Sequence, residues 1–588
     1  MSLKSPLIQL QSELKENNID IFIINRSDEF LNEYIAPYAE RLHFITNFSG
    51  SAGKAIILQN AAFLYVDGRY TFQAGEQINN NEIESKHLKV FWDDLKKFFT
   101  KQNCIIAIDP KLHSINEIKR IQDYIFNTST TIKYLDTNII DRIWKNKPNI
   151  KYSNIFDHPI KFAGCDRIEK LNKLFNFLNN HNINQYLVTG LDNIAWLLNI
   201  RADDILYTPL VFSYLLISKN NKSSLYVKYD KINNKLRTEL EKYIDIQSIE
   251  NINNIFSKIK KDDIVGLDFS KTTYYFLKQL EDNDIHYKDI INPVILFKAI
   301  KNKTEQTGAF NANLRDGVTM TQFIYWLKNE IDINSSNEII VAKYLESLRK
   351  KNELFHSLSF ETISAFGKNA ALPHYRVNKI SNSGFKKDNI YLVDSGAQYY
   401  DGTTDITRTI IIGNASKEQK DRFTRVLKGH IALSNHIFSK GTKGIDIDYL
   451  ARQSLNEIGC DYDHGTGHGI GSFLSVHEEP QRIAKKSMYN SVELVSGMII
   501  SNEPGYYKFN EYGIRIENLV MVKENKENLL YFENLTWCPI DIDLIEKDLL
   551  NNEELEWLNT YHKNIYIKLN KHLNDKEKKW LKLVTKPL

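Results

Sequence analysis

The chain has 588 residues, 42% of them hydrophobic, and its 76 Lys and Arg against 73 Asp and Glu leave a net charge of +3. That length exceeds a single domain, and that apolar content can fill more than one core. The balanced charge offers no basic field for nucleic acid, and no run of about 18 apolar residues is present to span a membrane.

The first twenty residues mix charges on an amphipathic pattern and lack the apolar stretch of an export signal, so a soluble, cytoplasmic protein is expected. Four cysteines, Cys104, Cys165, Cys460 and Cys538, have neither zinc-ribbon nor C-x-x-C spacing, which suits a reducing compartment. Segments 18–24 and 182–188 each follow a helical pattern and each precede a strand-like run, at 62–66 and 224–227, so two related α/β domains are expected. The stretch 145–159, with two prolines, reads as a linker. A second boundary falls near 301–305, where a helical pattern running through Trp326 begins, and an acidic-basic helical tail starts at about Asn551. The expected division is 1–158, 159–300 and 301–588.

Within the last of these, segment 391–412 places β-branched and apolar residues on either side of a turn-rich centre and reads as a hairpin carrying Asp394 and Asp405. A loop over Gln398 to Asp401 puts the two acids directly opposite each other, about 4.5–5.5 Å apart at Cβ, the span two carboxylates need to share metals. A two-residue turn at Asp401-Gly402 offsets them by four residues, too far to share. Taken alone, the hairpin could also be a surface feature with two solvated acids.

Segment 463–471 is Asp-His-Gly-Thr-Gly-His-Gly-Ile-Gly. Its glycines make a helix improbable and imply backbone in close approach to something, while neither G-x-G-x-x-G nor a Walker lysine can be placed on it. His464, His468 and, nine residues later, His477 are too many for a bland core, although any one of them could be a satisfied core histidine. Glu503 lies in a strand-like run, 499–502, that Pro504-Gly505 ends, and Glu517 lies within a second run, 514–522. Period-two alternation places Arg515 on the same face as Glu517, so Arg515 can orient it. Either acid alone could be a surface carboxylate at a strand end.

Together, Asp394, Asp405, His468, Glu503 and Glu517 suit two hard divalent cations about 3.5–4 Å apart, which need several carboxylates to offset four positive charges. With no cysteine in the set, Mn²⁺ is favoured, with Zn²⁺, Co²⁺ or Fe²⁺ as competitors.

The motifs His374-Tyr375, Asp394-Ser395-Gly396, Gly402 to Arg408, His464 to Gly469, Asn502 to Gly505 and Arg515 to Asn518 resemble, in order and spacing, the pita-bread metallopeptidases, and within them the large three-domain form of aminopeptidase P. The resemblance extends to Phe48 to Gly53, Asp67-Gly68-Arg69-Tyr70, Leu191 to Leu197 and Glu556 to Asn559. It implies an α/β multi-domain chain: two creatinase-like N-terminal α/β domains followed by an α+β pita-bread catalytic domain with a C-terminal extension. It implies a metal held by Asp405, His468, Glu503 and Glu517, a second held by Asp394, Asp405 and Glu517, and a hydroxide between them as nucleophile. Glu503 would move the proton to the leaving proline nitrogen, and His374, His464 and His477 would contact the substrate and stabilise its intermediate. Arg515, Tyr507 and Arg69 are further substrate-site candidates. The implied activity is release of one residue from peptides with proline second, by a homodimer in which an N-terminal domain helps close the partner's site. Pro373, directly before His374, departs from the pattern; it restricts Leu372 and is expected to shift the histidine slightly. Prolidase, restricted to dipeptides, shares the same ligand set and is the runner-up. Methionyl aminopeptidase leaves two N-terminal domains unexplained, and a non-catalytic peptide-binding relative would be expected to have lost ligands.

Overall fold

The computed structural model describes residues 5–99, 103–219, 222–485 and 492–588. The chain forms two compact units, Met1–Asp157 with Asp166–Val294, and His158–Cys165 with Ile295–Leu588.

The first unit contains the same sheet twice. In one copy the six strands lie in the order Glu84–His87, Ala62–Val66, Lys54–Leu58, Ile21–Asn25, Ile105–Ile108, Thr131–Tyr134. In the other the order is Ile244–Ser248, Ser223–Val227, Ser213–Ser218, Gln185–Val188, Ile264–Leu267, His286–Asp289. Neighbouring strands also run in the same relative directions in both, antiparallel through the three inner members and parallel at the flanks. The central strands, Ile-Phe-Ile-Ile-Asn and Gln-Tyr-Leu-Val, are near-continuous apolar runs, and successive residues on both of their faces are buried. An isolated bridge between Ser114 and Thr273 ties one copy to the other.

The second unit opens on the helix Lys303–Asn329, started by a capping box in which Asn302 and Glu305 satisfy each other's backbone donors. Two three-stranded sheets follow. Ile363–Phe366, Asn389–Ser395 and Ile406–Ile412 form one; Phe355–Leu358, Ala397–Tyr399 and Gly402–Thr403 form the other. A five-stranded antiparallel sheet has the order Glu478–Ile483, Gly467–Gly469, Ile499–Asn502, Asn518–Glu524, Leu530–Asn534, and Gly505–Lys508 pairs with Tyr512–Arg515 as a hairpin. Helices Lys417–Ser434 and Gly444–Asn456 pack on these strands through Phe423, Leu427, Ile431, Ile447, Ala451 and Leu455. The helical tail begins at Asn551, which caps Asn552–Leu569. No helix among the described residues is long and apolar enough to cross a membrane, and none of the four cysteines is in a disulfide.

Two local expectations are corrected. Asp394 pairs with Thr407, not Asp405, because the hairpin closes on Tyr400-Asp401, with Tyr399 opposite Gly402. Arg315 on the long helix grips Asp401 with two bonds of 3.0 and 3.1 Å, which sets the turn by a tertiary contact that sequence spacing does not carry. The run 514–522 is also not one strand: it breaks at Ile516-Glu517.

Candidate metal centre

Each acid of the predicted set lies at the end of a strand. Asp394 is the penultimate residue of Asn389–Ser395, and Asp405 directly precedes Ile406–Ile412. His468 is the middle residue of Gly467–Gly469, Glu503 follows Ile499–Asn502, and Glu517 sits in the break before Asn518–Glu524. Asn502 pairs with Asn518, so Glu503 and Glu517 stand one step beyond that pair at the same end of the ladder. Glycine is required at position 467, where a β-carbon would collide with the Ser501 carbonyl. This close approach lets the Ser501 hydroxyl accept from the His468 N–H at 3.0 Å and lie 3.4 Å from Glu503 Oε1.

The two-residue offset in the hairpin leaves Asp394 and Asp405 as diagonal neighbours on one face, within reach of a shared site. Side-chain donor atoms of Asp405, His468 and Glu517 come within 4.8 Å of one another, all three residues buried. His468 Nε2 lies 3.5 Å from Asp405 Oδ2 and 3.6 Å from Glu503 Oε1. Its Nδ1 is 3.0 Å from the Gly469 carbonyl, which can only accept, so Nδ1 carries the proton and Nε2 presents its lone pair to the carboxylates. Arg515 does not contact Glu517 directly as expected. Its guanidinium donates to Asp394 Oδ2 at 2.6 Å and to Thr407 Oγ1 at 3.1 Å, and the Thr407 hydroxyl donates to Glu517 Oε2 at 2.8 Å.

The buried carboxyls of Asp394, Asp405 and Glu517 and the half-buried one of Glu503 face one guanidinium. Burial, followed by the charges of Glu517, Asp394 and Glu503, holds the Asp405 carboxyl well above its ordinary range. Burial likewise raises Glu517, with Asp394 and Glu503 adding to it. Burial pushes Glu503 up to about 7 against the opposing pull of Arg515. Oδ1 of Asp394 and Oδ1 of Asp405 are buried with no hydrogen-bond partner among the described residues. A cluster that concentrates negative charge and leaves acceptor atoms unsatisfied is suited to cations, and an oxygen-rich set with one imidazole fits hard divalent ions.

The remaining predicted residues are placed unevenly. His477 packs its ring at 4.4 Å, edge-on, against His468. His464 Nδ1 is 2.8 Å from the Gly465 carbonyl, and its Nε2 is 2.9 Å from the hydroxyl of Tyr507, which accepts from Arg515 at 2.6 Å. His464, Tyr507, Arg515 and Asp394 are thus one chain of contacts, and burial lifts the Tyr507 hydroxyl to about 12. His374 lies in the turn after the short helix Gly367–Ala371; Leu372 is extended, as a residue before proline must be, and Tyr375 anchors the turn by donating to the buried Glu338 at 2.9 Å. Arg69 belongs to the first unit, where it is held by Asp67. Sequence reasoning missed Thr407, Ser501 and Arg408. Only Thr407 carried a signal, being two residues from Asp405 and so on its face of the strand.

Residues 310–524 match the model of metallopeptidase family M24, and 528–588 match the C-terminal region of that family. Residues 7–140 and 146–305 each match a creatinase/prolidase N-terminal domain. A probable Xaa-Pro aminopeptidase P of Aspergillus niger is 36% identical over 99% of this chain and 98% of its own length. The crystal structure of X-prolyl aminopeptidase from Caenorhabditis elegans, described as a cytosolic enzyme with a di-nuclear active site, superimposes with a TM-score of 0.93 at 31% identity, covering 99% of both chains. A prolidase from Pyrococcus horikoshii, 25% identical, covers 64% of this chain and 99% of its own with a TM-score of 0.51. Full-length similarity, the duplicated N-terminal sheets and the buried carboxylate-histidine cluster agree, and the chain belongs to the Xaa-Pro aminopeptidase P family of M24 metallopeptidases.

Proposed function

We propose that the protein is a dinuclear metallo-exopeptidase that releases the first residue from peptides whose second residue is proline. The observation that carries this reading is the buried group of Asp405, His468 and Glu517, with Glu503 beside His468. Asp405, His468, Glu503 and Glu517 would hold one cation and Asp394, Asp405 and Glu517 the other, and Mn²⁺ suits these donors. When bound, the ions supply Lewis acidity and a water of lowered pKa. Glu503, 3.6 Å from His468 Nε2, is placed to take a proton and pass it to the proline nitrogen as the peptide bond breaks. Arg515 keeps Asp394 in place, and Thr407 fixes the rotamer of Glu517. His477 and His374 serve the substrate side as hydrogen-bond donors, while His464 orients Tyr507.

The proline preference rests on the likeness to the Aspergillus and Caenorhabditis proteins. Proline makes a tertiary amide without an N–H, which a dedicated site can select and a strand-binding peptidase cannot hold. We further propose domains at 1–158, 159–300 and 301–588, supported by the spans of the matching family models, a cytoplasmic location and a homodimeric state. Light scattering at micromolar concentration tests the last of these.

Mass analysis of products from Xaa-Pro dipeptides, Xaa-Pro-Xaa and Xaa-Ala-Xaa peptides tests the substrate. Release of one residue from the longer proline peptides is expected. Cleavage confined to dipeptides would indicate a prolidase, and equal cleavage of alanine peptides a general aminopeptidase.

A further inference from the structure

Arg408 is 1% exposed, yet no carboxylate is among its hydrogen-bond or ion-pair partners in the described residues. Its five N–H groups are shared among six neutral acceptors. Nη1 donates to the backbone carbonyls of Thr407 at 2.9 Å and Glu517 at 2.7 Å. Nη2 donates to Asn518 Oδ1 at 2.8 Å, the Cys538 carbonyl at 2.8 Å and the Tyr561 hydroxyl at 2.9 Å, and Nε to the Pro539 carbonyl at 3.1 Å. The first pair belongs to the metal centre: the Glu517 N–H donates back to the Thr407 carbonyl at 3.2 Å, so Arg408 staples the crossing from which both the Glu517 carboxylate and its Thr407 clamp project. Of the other partners, Cys538, Pro539 and Tyr561 lie in the C-terminal segment 528–588, and Asn518 follows Glu517 directly. Tyr561 is itself fixed, stacked on Trp557 at 5.1 Å and on Trp537 at 6.2 Å. The guanidinium's charge is felt around it: His430 and His562 are both pushed down to about 3, by burial first and then by Arg408.

We infer that Arg408 and Tyr561 make the C-terminal segment a positioning element of the metal centre, fixing the backbone at Glu517 so that its carboxylate meets the cation without reorganising. Burying a guanidinium without a counter-charge is costly unless every donor is satisfied. Here the satisfaction comes jointly from the ligand-bearing strands and from the tail, so neither side can shift alone. This inference rests on the proposed dinuclear centre, but it concerns how Glu517 is held and can fail separately.

The test uses the full chain with R408K and Y561F, and with Tyr186→Phe, a buried tyrosine of the first unit, as control. The Mn²⁺ dissociation constant is measured by chelator competition, together with thermal melting and amide exchange across 516–519. Removing outer partners of a ligand weakens metal binding by about 10–100-fold, so R408K is expected at or above the lower end and Y561F at a few-fold, both with faster exchange at 516–519 and with turnover largely recovered in excess Mn²⁺. Y186F should leave the constant and the exchange unchanged. If R408K does not fold, Y561F decides, because its ring stacking is retained. Unchanged Mn²⁺ affinity and unchanged local exchange in Y561F would overturn the inference, whatever its melting temperature. If the wild-type chain binds none of Mn²⁺, Zn²⁺, Co²⁺ and Fe²⁺, the proposed function fails, and exchange at 516–519 alone decides the positioning claim.

Discussion

Asp405 and His477 separate two kinds of residue in this site. Asp405 lies within the 4.8 Å donor cluster, whereas His477 lies outside it, its ring edge-on against that of His468. Asp405→Ala should therefore lose bound metal and turnover together, with a fall in kcat of several orders of magnitude, as when a unit of catalytic machinery is broken. His477→Ala should keep its metal and lose about 10²–10³ in kcat, the usual cost of one donor to a developing negative charge. Metal analysis beside steady-state kinetics checks both, and equal metal loss in the two variants would contradict the assignment. Thr407→Val, which leaves Arg515 Nε without its acceptor and Glu517 Oε2 without its donor, should weaken metal binding and cost roughly 1–3 kcal/mol of stability, measured by denaturant unfolding.

The same carboxyls set a pH dependence. Burial raises Glu503 to about 7 in the fold against 4.5 ordinarily, and burial with the neighbouring carboxylates raises Asp405 and Glu517 as well. A carboxyl raised in this way keeps its proton in the folded chain after the unfolded chain has lost it. The metal-free fold therefore loses stability as pH rises from 4.5 through 7, and bound metal, which requires the ionised forms, restores it. Metal should raise the melting temperature more at pH 8 than at pH 5. Calorimetry near pH 7 in buffers of different ionisation heat should also show proton release on metal binding; absence of release would contradict the raised carboxyls.

At the scale of elements, the sequence carried what local chemistry controls. The strand 499–502 was legible from its apolar run and the Pro504-Gly505 stop, and the extended form of 463–471 from its glycines. The hairpin register was not. Gly402 suggests a turn glycine, but a β-carbon there would meet Ala309 and Ala312 of the long helix, so its role is close packing, and Arg315 decides where the chain reverses. The break at Glu517 was hidden for a related reason. Ile514 and Ile516 are both buried and alternate as a continuous strand would, and only the pairing of Arg515 with Gly505 and of Asn518 with Asn502 divides the run. Arg515 was correctly placed on the face of the site, but its true partner, Asp394, lies 121 residues away, beyond any local pattern.

At the scale of the molecule, the duplication in the first unit was visible as two matching segments, and the structure extends it to all six strands and their directions. The four acids and one histidine of the candidate metal centre were legible as a set because each sits in a short motif whose glycines or prolines serve the local backbone. What binds that set to the tail through Arg408 was not, since its acceptors are mainly backbone carbonyls, which leave no trace in residue identity.

The most direct test is a titration of metal-stripped protein with Mn²⁺, following release of the first residue from an Xaa-Pro-Xaa peptide and from its Xaa-Ala-Xaa counterpart. The proposed two-metal centre predicts no turnover before addition, activity that saturates at about two equivalents, and hydrolysis of the proline peptide alone. Full activity in protein shown to hold no metal, or equal release from the alanine peptide, would contradict it.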